Sequence, residues 1–263
     1  MLDEQAGRIF FAYADGLATI TIDRPHKLNA CTQVMYRSLR ETLESVSADS
    51  SIRCVLLTGA GERAFCVGSD VGEFTAALGD PERQLAEAHT GRAAVDALLA
   101  CPHPLVAAVE GACVGGGLEL AAVCDLRVAA RSSWFGLPVN KLGMFVELED
   151  LQALLGALGR NLTADLLLTG RRLDASEAFE RGFLARLAPD GEAKSAATAL
   201  ARDIADGAPL AARWHKRALR RLSQPEAIEP EIVEAALACY RTADFAEGAR
   251  AFLEKRAPRF RGA

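Results

Sequence analysis

Residues 103–130, HPLVAAVEGACVGGGLELAAVCDLRVAA, pass through several kinds of local structure inside one apolar run. Leu105 to Glu110 is strand-like, Gly111 to Gly117 is loop-like, Gly117 to Val123 reads as a short helix, and Asp125 to Ala130 reads as a second strand. A strand–helix–strand order implies a sheet flanked by helices, which is the α/β class. Glu110, Glu119 and Asp125 interrupt the run from Leu105 to Ala130. A membrane span of ~20 apolar residues is therefore not available there.

The same alternation extends outward. Arg8 to Tyr13 and Leu17 to Ile22 alternate as strands around an Asp15-Gly16 hairpin turn. Thr32 to Val46 has helical periodicity through Val34, Met35, Leu39, Leu43 and Val46, with Thr32 as the N-cap. Ile52 to Thr58 suits a buried strand, and Leu85 to Ala100 reads as a helix that stops at Pro102. Asn161 to Thr169 and Ala175 to Arg181 read as helices, and Phe183 to Leu187 as a strand. Beyond Pro189-Asp190-Gly191, residues 192–222 and 228–256 are nearly all helical in pattern. The chain is thus expected to divide into a core, 1–192, and a helical region, 193–263, that packs on the core or on a neighbouring subunit.

Composition narrows the functional classes. The chain has 263 residues, half of them hydrophobic, with 30 Lys+Arg against 35 Asp+Glu and a net charge of −5. That balance argues against nucleic acid as the main partner, which would call for a basic surface. The seven cysteines form no C-x-x-C pair, so no metal ligand set is expected and they read as reduced, buried thiols of a cytoplasmic protein. The opening MLDEQAGRIF has neither a basic nor an apolar segment of the kind a secretory signal needs.

Two glycine stretches follow strands. Gly59-Ala60-Gly61-Glu62-Arg63-Ala64 fits G-x-G-x-x-A, but Ala64 to Gly68 reads as strand and turn where a dinucleotide site needs a helix, so a plain loop is expected. Gly115-Gly116-Gly117 enters a helix. Its backbone N–H groups could meet an anion or a developing oxyanion, and close helix–strand packing would equally favour glycine. The pattern alone leaves both open.

Taken in order, the motifs resemble those of the enoyl-CoA hydratase/isomerase, or crotonase, family. Arg24-Pro25-His26-Lys27-Leu28-Asn29-Ala30 is similar to its R-P-x-x-x-N-A segment, and Ala64 to Asp70 to its A-F-x-A-G-x-D loop, with Val67 where Ala is usual. Residues 103–130 are similar to its most specific signature, and Phe135-Gly136-Leu137-Pro138 with Leu142-Gly143 to its F-G-x-P-E-x-x-L-G segment. The resemblance implies a spiral of ββα units with a C-terminal helical trimerisation region, assembled as a homotrimer or a dimer of trimers. It implies an acyl-CoA thioester as substrate, with no cofactor besides the coenzyme A the substrate carries. It also implies that the backbone N–H groups of Ser69 and Gly116 hold an enolate oxygen, that Glu119 is the base, and that Lys27, Leu28, Val67, Ser69, Asp70 and Val71 border the coenzyme A. At the start of a helix, Glu119 is expected to stay ionised.

The sequence departs from the family where a second glutamate should follow Pro138. Val139 stands there and cannot carry a proton. The acidic stretch Glu147-Leu148-Glu149-Asp150 offers two readings: Glu147 or Glu149 supplies a second carboxylate, or the run is a solvated helix start. With one glutamate missing, the resemblance leaves hydration or isomerisation of an enoyl-CoA, a different enolate reaction such as C–C cleavage or hydrolysis, and a catalytically weak acyl-CoA-binding subunit. Arg213 to Arg221 forms a basic helix, which reads as a solvated face or a subunit contact rather than a nucleic-acid site.

Overall fold

A computed structural model describes residues 7–77, 80–142, 146–222 and 242–262. Ten strands appear among them: β1 (Arg8–Ala14), β2 (Leu17–Asp23), β3 (Cys54–Gly59), β4 (Ala64–Cys66), β5 (Leu105–Val109), β6 (Ala112–Val114), β7 (Leu126–Ala130), β8 (Trp134–Gly136), β9 (Arg172–Asp174) and β10 (Arg186–Ala188). The helices are α1 (Gln33–Ala48), α2 (Val71–Ala76), α3 (Pro81–Ala100), α4 (Gly116–Ala122), α5 (Leu148–Thr169), α6 (Ala175–Glu180), α7 (Ala193–Ala205), α8 (Pro209–Leu222) and α9 (Ala243–Glu254).

The strands sort into a six-stranded sheet ordered β1-β2-β3-β5-β7-β10 and a four-stranded sheet ordered β4-β6-β8-β9. Each of β3/β4, β5/β6 and β7/β8 gives its first strand to the large sheet, its second to the small one, and then passes into helix. This is a spiral of ββα turns. Only β1 and β9 run antiparallel to their neighbours; β1 does so through the Asp15-Gly16 hairpin.

Alternation along the parallel strands feeds two apolar layers. Val55, Leu57, Leu105, Ala107, Val109 and Ala129 face the main core with α1, α3, α4 and α5. Cys54, Leu56, Val106, Ala108, Val128 and Ala130 face the other side, where α7 covers them with Ala193, Ala197, Leu200, Ala201 and Ala205. Strands covered on both faces need continuous apolar runs, which these sequences supply. The first element beyond residue 192 is therefore a layer over the sheet.

The structure differs from the sequence pattern at specific places. Val34 is 62% exposed, and Tyr36 takes the inward position on α1 at 3%. The stretch Gly111–Gly117 contains the three-residue strand β6, too short for alternation to show. Helix α5 begins at Leu148 rather than Asn161, since the chain stays helical on both sides of a kink at Gly159 (φ 73°, ψ 161°). The strand expected over Phe183–Leu187 lies at Arg186–Ala188. Cys239 and the helical reading of 228–241 lie outside the described residues; the six described cysteines are free and buried. No described helix is long and apolar enough to cross a membrane.

Candidate active site

Two loops are locked together by buried polar contacts. Asn29, fully buried at φ 57°, accepts from the Arg24 N–H (3.0 Å) and donates to the carbonyls of Ala60 (3.0 Å) and Ala64 (2.7 Å). The Arg24 guanidinium pairs with Asp70, holding that carboxyl below the usual carboxylate range. The other Asp70 oxygen accepts from the N–H groups of Gly72 (2.8 Å) and Glu73 (3.1 Å). Asp70 therefore fixes this loop from within. A single parallel bridge joins Cys31 to Ser69: the Cys31 N–H donates to Gly68 (2.8 Å), and the Asp70 N–H donates to Cys31 (2.9 Å). Such a bridge turns the intervening Ser69 N–H to the opposite side.

The 115–117 turn approaches this loop, since a methyl group on Gly68 would lie 3.0 Å from the Gly116 nitrogen, and its three glycines do different work. Gly115 adopts φ 54°, ψ −128°, a conformation L side chains rarely take, and its N–H donates to Gly136 (2.9 Å). A methyl group on Gly117 would sit 2.1 Å from the Cys66 carbonyl oxygen, so this glycine lets α4 press onto β4. Gly116 opens toward side chains instead. A methyl group there would lie 2.9 Å from Tyr36 Oη, 3.4 Å from Gly68 Cα and 3.7 Å from Glu119 Oε2. Close packing on backbone at 117 and a face bordered mainly by side chains at 116 thus belong to different members of one run. Among the described residues, neither the Ser69 N–H nor the Gly116 N–H has a hydrogen-bond acceptor.

Glu119 sits in the first turn of α4 between buried Leu118 and Leu120. Burial raises its carboxyl to about 7, reinforced by Asp150 and Glu147 and opposed by Arg92. The expectation that a helix start keeps this group ionised is corrected here. In a seven-residue helix, desolvation and two like charges outweigh the dipole. A carboxyl poised near neutrality can both take and return a proton.

The surrounding charge comes from α3 and α5. Glu147 is the N-cap position of α5, with Glu149 and Asp150 in its first turn. The run is a helix start, as one reading had it, yet its helical phase turns Asp150 inward and leaves Glu149 exposed. Asp150 accepts from Arg92 Nη1 at 2.7 Å, and Arg92 also holds Asp96. Val139 is half-buried and packs against the apolar core. Tyr36 and Arg92 are the members of this site that no motif marked, and Asp150 was marked only as part of the acidic run. Tyr36 was nevertheless detectable as the inward residue of a Tyr36-Leu39-Leu43 stripe.

The other expected residues lie on the same two segments. Lys27, Ser69 and Val71 are exposed, Leu28 and Val67 are half-buried, and all lie on the segments that the Cys31–Ser69 bridge joins. Within the Gly59–Ala64 stretch, residues 60–63 form a loop between β3 and β4, as expected, and the stretch leads into a strand rather than a helix. In the basic helix α8, Lys216 is buried on Asp125 (2.8 Å) and the His103 carbonyl (2.6 Å), while Arg213 holds the Ser50 and Ile52 carbonyls (both 3.2 Å). These cations pin α8 to the core. No group of three or more His, Cys, Asp or Glu among the described residues could hold a metal ion.

Comparison with known proteins identifies the family. The family model for enoyl-CoA hydratase/isomerase matches residues 13–263. The (E)-benzylidenesuccinyl-CoA hydratase of Thauera aromatica is 34% identical over 255 residues, covering 94% of this chain and 96% of that protein. Among solved structures, an enoyl-CoA hydratase/carnithine racemase from Magnetospirillum magneticum superposes with a TM-score of 0.93 at 39% identity, over 97% of this chain and 96% of that one. An enoyl-CoA hydratase from Bacillus anthracis superposes at 0.89 and 31% identity, over 97% and 99%. The ββα spiral, the paired loops and these likenesses together assign the chain to the enoyl-CoA hydratase/isomerase family.

Proposed function

We propose that the protein catalyses hydration or isomerisation of an enoyl-CoA through a thioester enolate, with Glu119 moving the proton. The single observation that carries this is the adjacency of a carboxyl poised at about 7 to the Gly116 backbone, whose N–H has no acceptor among the described residues. The thioester oxygen lies between the N–H groups of Ser69 and Gly116. As the enolate forms, negative charge grows on that oxygen, and two preset donors stabilise it without reorganisation. The coenzyme A runs along Lys27, Leu28, Val67, Ser69, Asp70 and Val71.

In isomerisation of a 3-enoyl-CoA, the Glu119 carboxylate takes a C2 proton, the electron pair passes into a dienolate, and the same carboxyl returns the proton at C4. One carboxyl suffices for that cycle. Hydration of a 2-enoyl-CoA also needs a group to orient and deprotonate water attacking C3, and Glu147 is the candidate for it, since Val139 carries no proton. The apolar Val139 supports the second reading, a related enolate reaction or an acyl-CoA-binding subunit with little turnover.

The test is a panel of 2-enoyl-CoA and 3-enoyl-CoA thioesters with wild type and Glu119→Gln. Turnover of at least one of them by wild type is expected, with a loss of about 100-fold or more in the variant. Equal rates in the two proteins would remove Glu119 from the reaction. Tight acyl-CoA binding with no turnover anywhere on the panel would favour the binding subunit.

A further inference from the structure

We propose that the Tyr36 hydroxyl is a third hydrogen-bond donor to the thioester oxygen, beside the N–H groups of Ser69 and Gly116; this rests on the enolate reading above. Tyr36 stands on α1 with its backbone fixed in the helix by the N-cap Thr32, whose side chain accepts from Met35. Its ring reaches α3, where a methyl group on Gly91 would lie 3.9 Å from the ring carbons Cε2 and Cζ. The hydroxyl emerges where the 68–70 loop meets the 115–117 turn. A methyl group on Gly116 would sit 2.9 Å from it, and one on Gly68 would sit 3.0 Å from the Gly116 nitrogen. Backbone, phenol and the Glu119 carboxylate therefore border one small space.

The bonding of the hydroxyl fits a donor awaiting an acceptor. Among the described residues its hydrogen-bond neighbour is Ser69 Oγ at 3.4 Å. Hydroxyl–oxygen bonds are typically ~2.7–2.8 Å, so this one is long and weak. A buried O–H with only a weak partner gains most from an anionic oxygen, where a charge-assisted bond is shorter and roughly twice as strong. Burial, with the neighbouring thiols and Glu119, pushes the phenol well above its ordinary range, so the proton stays on at neutral pH and the group donates.

The experiment uses the full chain and a dimethylaminocinnamoyl-CoA, whose absorption moves to longer wavelength as its carbonyl is polarised. Wild type should show a red shift on binding. Tyr36→Phe, which keeps the ring, should show a smaller shift, with kcat down by about 10- to 100-fold and KM changed far less. Fluorotyrosine at position 36, a stronger acid, should enlarge the shift and provides the readout if the phenylalanine variant does not fold. A Tyr36→Phe shift equal to wild type, or an unchanged shift with fluorotyrosine, overturns the proposal even if activity falls, because the hydroxyl then only holds Ser69. Absence of any red shift in wild type overturns the enolate reading itself and this proposal with it.

Discussion

The turn from Gly115 to Glu119 and the segment from Pro138 to Asp150 both act on the same carboxyl, by different means. The turn works through backbone: a conformation reserved for glycine at 115, a face toward Tyr36 and Glu119 at 116 and a close approach at 117. The 138–150 segment works through charge: apolar Val139 is silent, while Glu147 and Asp150 raise Glu119 and Arg92 from α3 opposes them. A backbone requirement is local and admits few residue types. A charge arrangement is assembled in space from three helices, and several sequences can deliver it.

The largest test of the contrast separates neighbouring glycines. Gly117→Ala sets a methyl group against the Cys66 carbonyl and should cost about 3 kcal/mol or more, read as a lower denaturant midpoint. Gly116→Ala presses hardest on the end of the Tyr36 side chain, with the Gly68 backbone farther off at 3.4 Å, so it should cost less stability and act mainly on kcat. Equal destabilisation by the two would erase the division of roles within the run.

The charged wall predicts smaller effects, visible in pH dependence. Glu119 must be ionised to take a proton, so kcat/KM should rise with pH and level off above about 7. Asp150→Asn removes the stronger like charge, so the rising limb should move to lower pH. Glu147→Gln should move it the same way by less. A limb that stays in place in both variants would show that the 138–150 segment does not tune Glu119. A loss of hydration in Glu147→Gln with isomerisation retained would assign Glu147 to the water.

This contrast also explains what could be read from sequence. The paired strands, the α1 N-cap at Thr32 and the 115–117 turn each follow from short-range rules. So did the loop at Gly59–Ala64, because the residues after it cannot form the required helix. The strands β6, β8 and β9 were not legible, since three residues hold too little periodicity and their pairing is long-range. Glu149 and Asp150 looked alike as neighbours in an acidic run; only the phase of α5 and the position of Arg92 distinguish the exposed one from the buried one. The ionisation of Glu119 was read with the wrong sign because a helix start is visible in sequence and desolvation is not. Tyr36 was overlooked for a similar reason: on α1 the more apolar Val34 is the side chain that faces solvent.

The most direct test of the central claim does not depend on which reaction follows the enolate. A saturated acyl-CoA incubated with the protein in deuterated water should exchange its C2 protons, followed by NMR. Wild type should catalyse exchange well above the buffer rate, and Glu119→Gln should be slower by about 100-fold or more. Exchange at the same rate in both proteins, or none above buffer in wild type, would contradict the assignment of Glu119 as the base of an enolate-forming site.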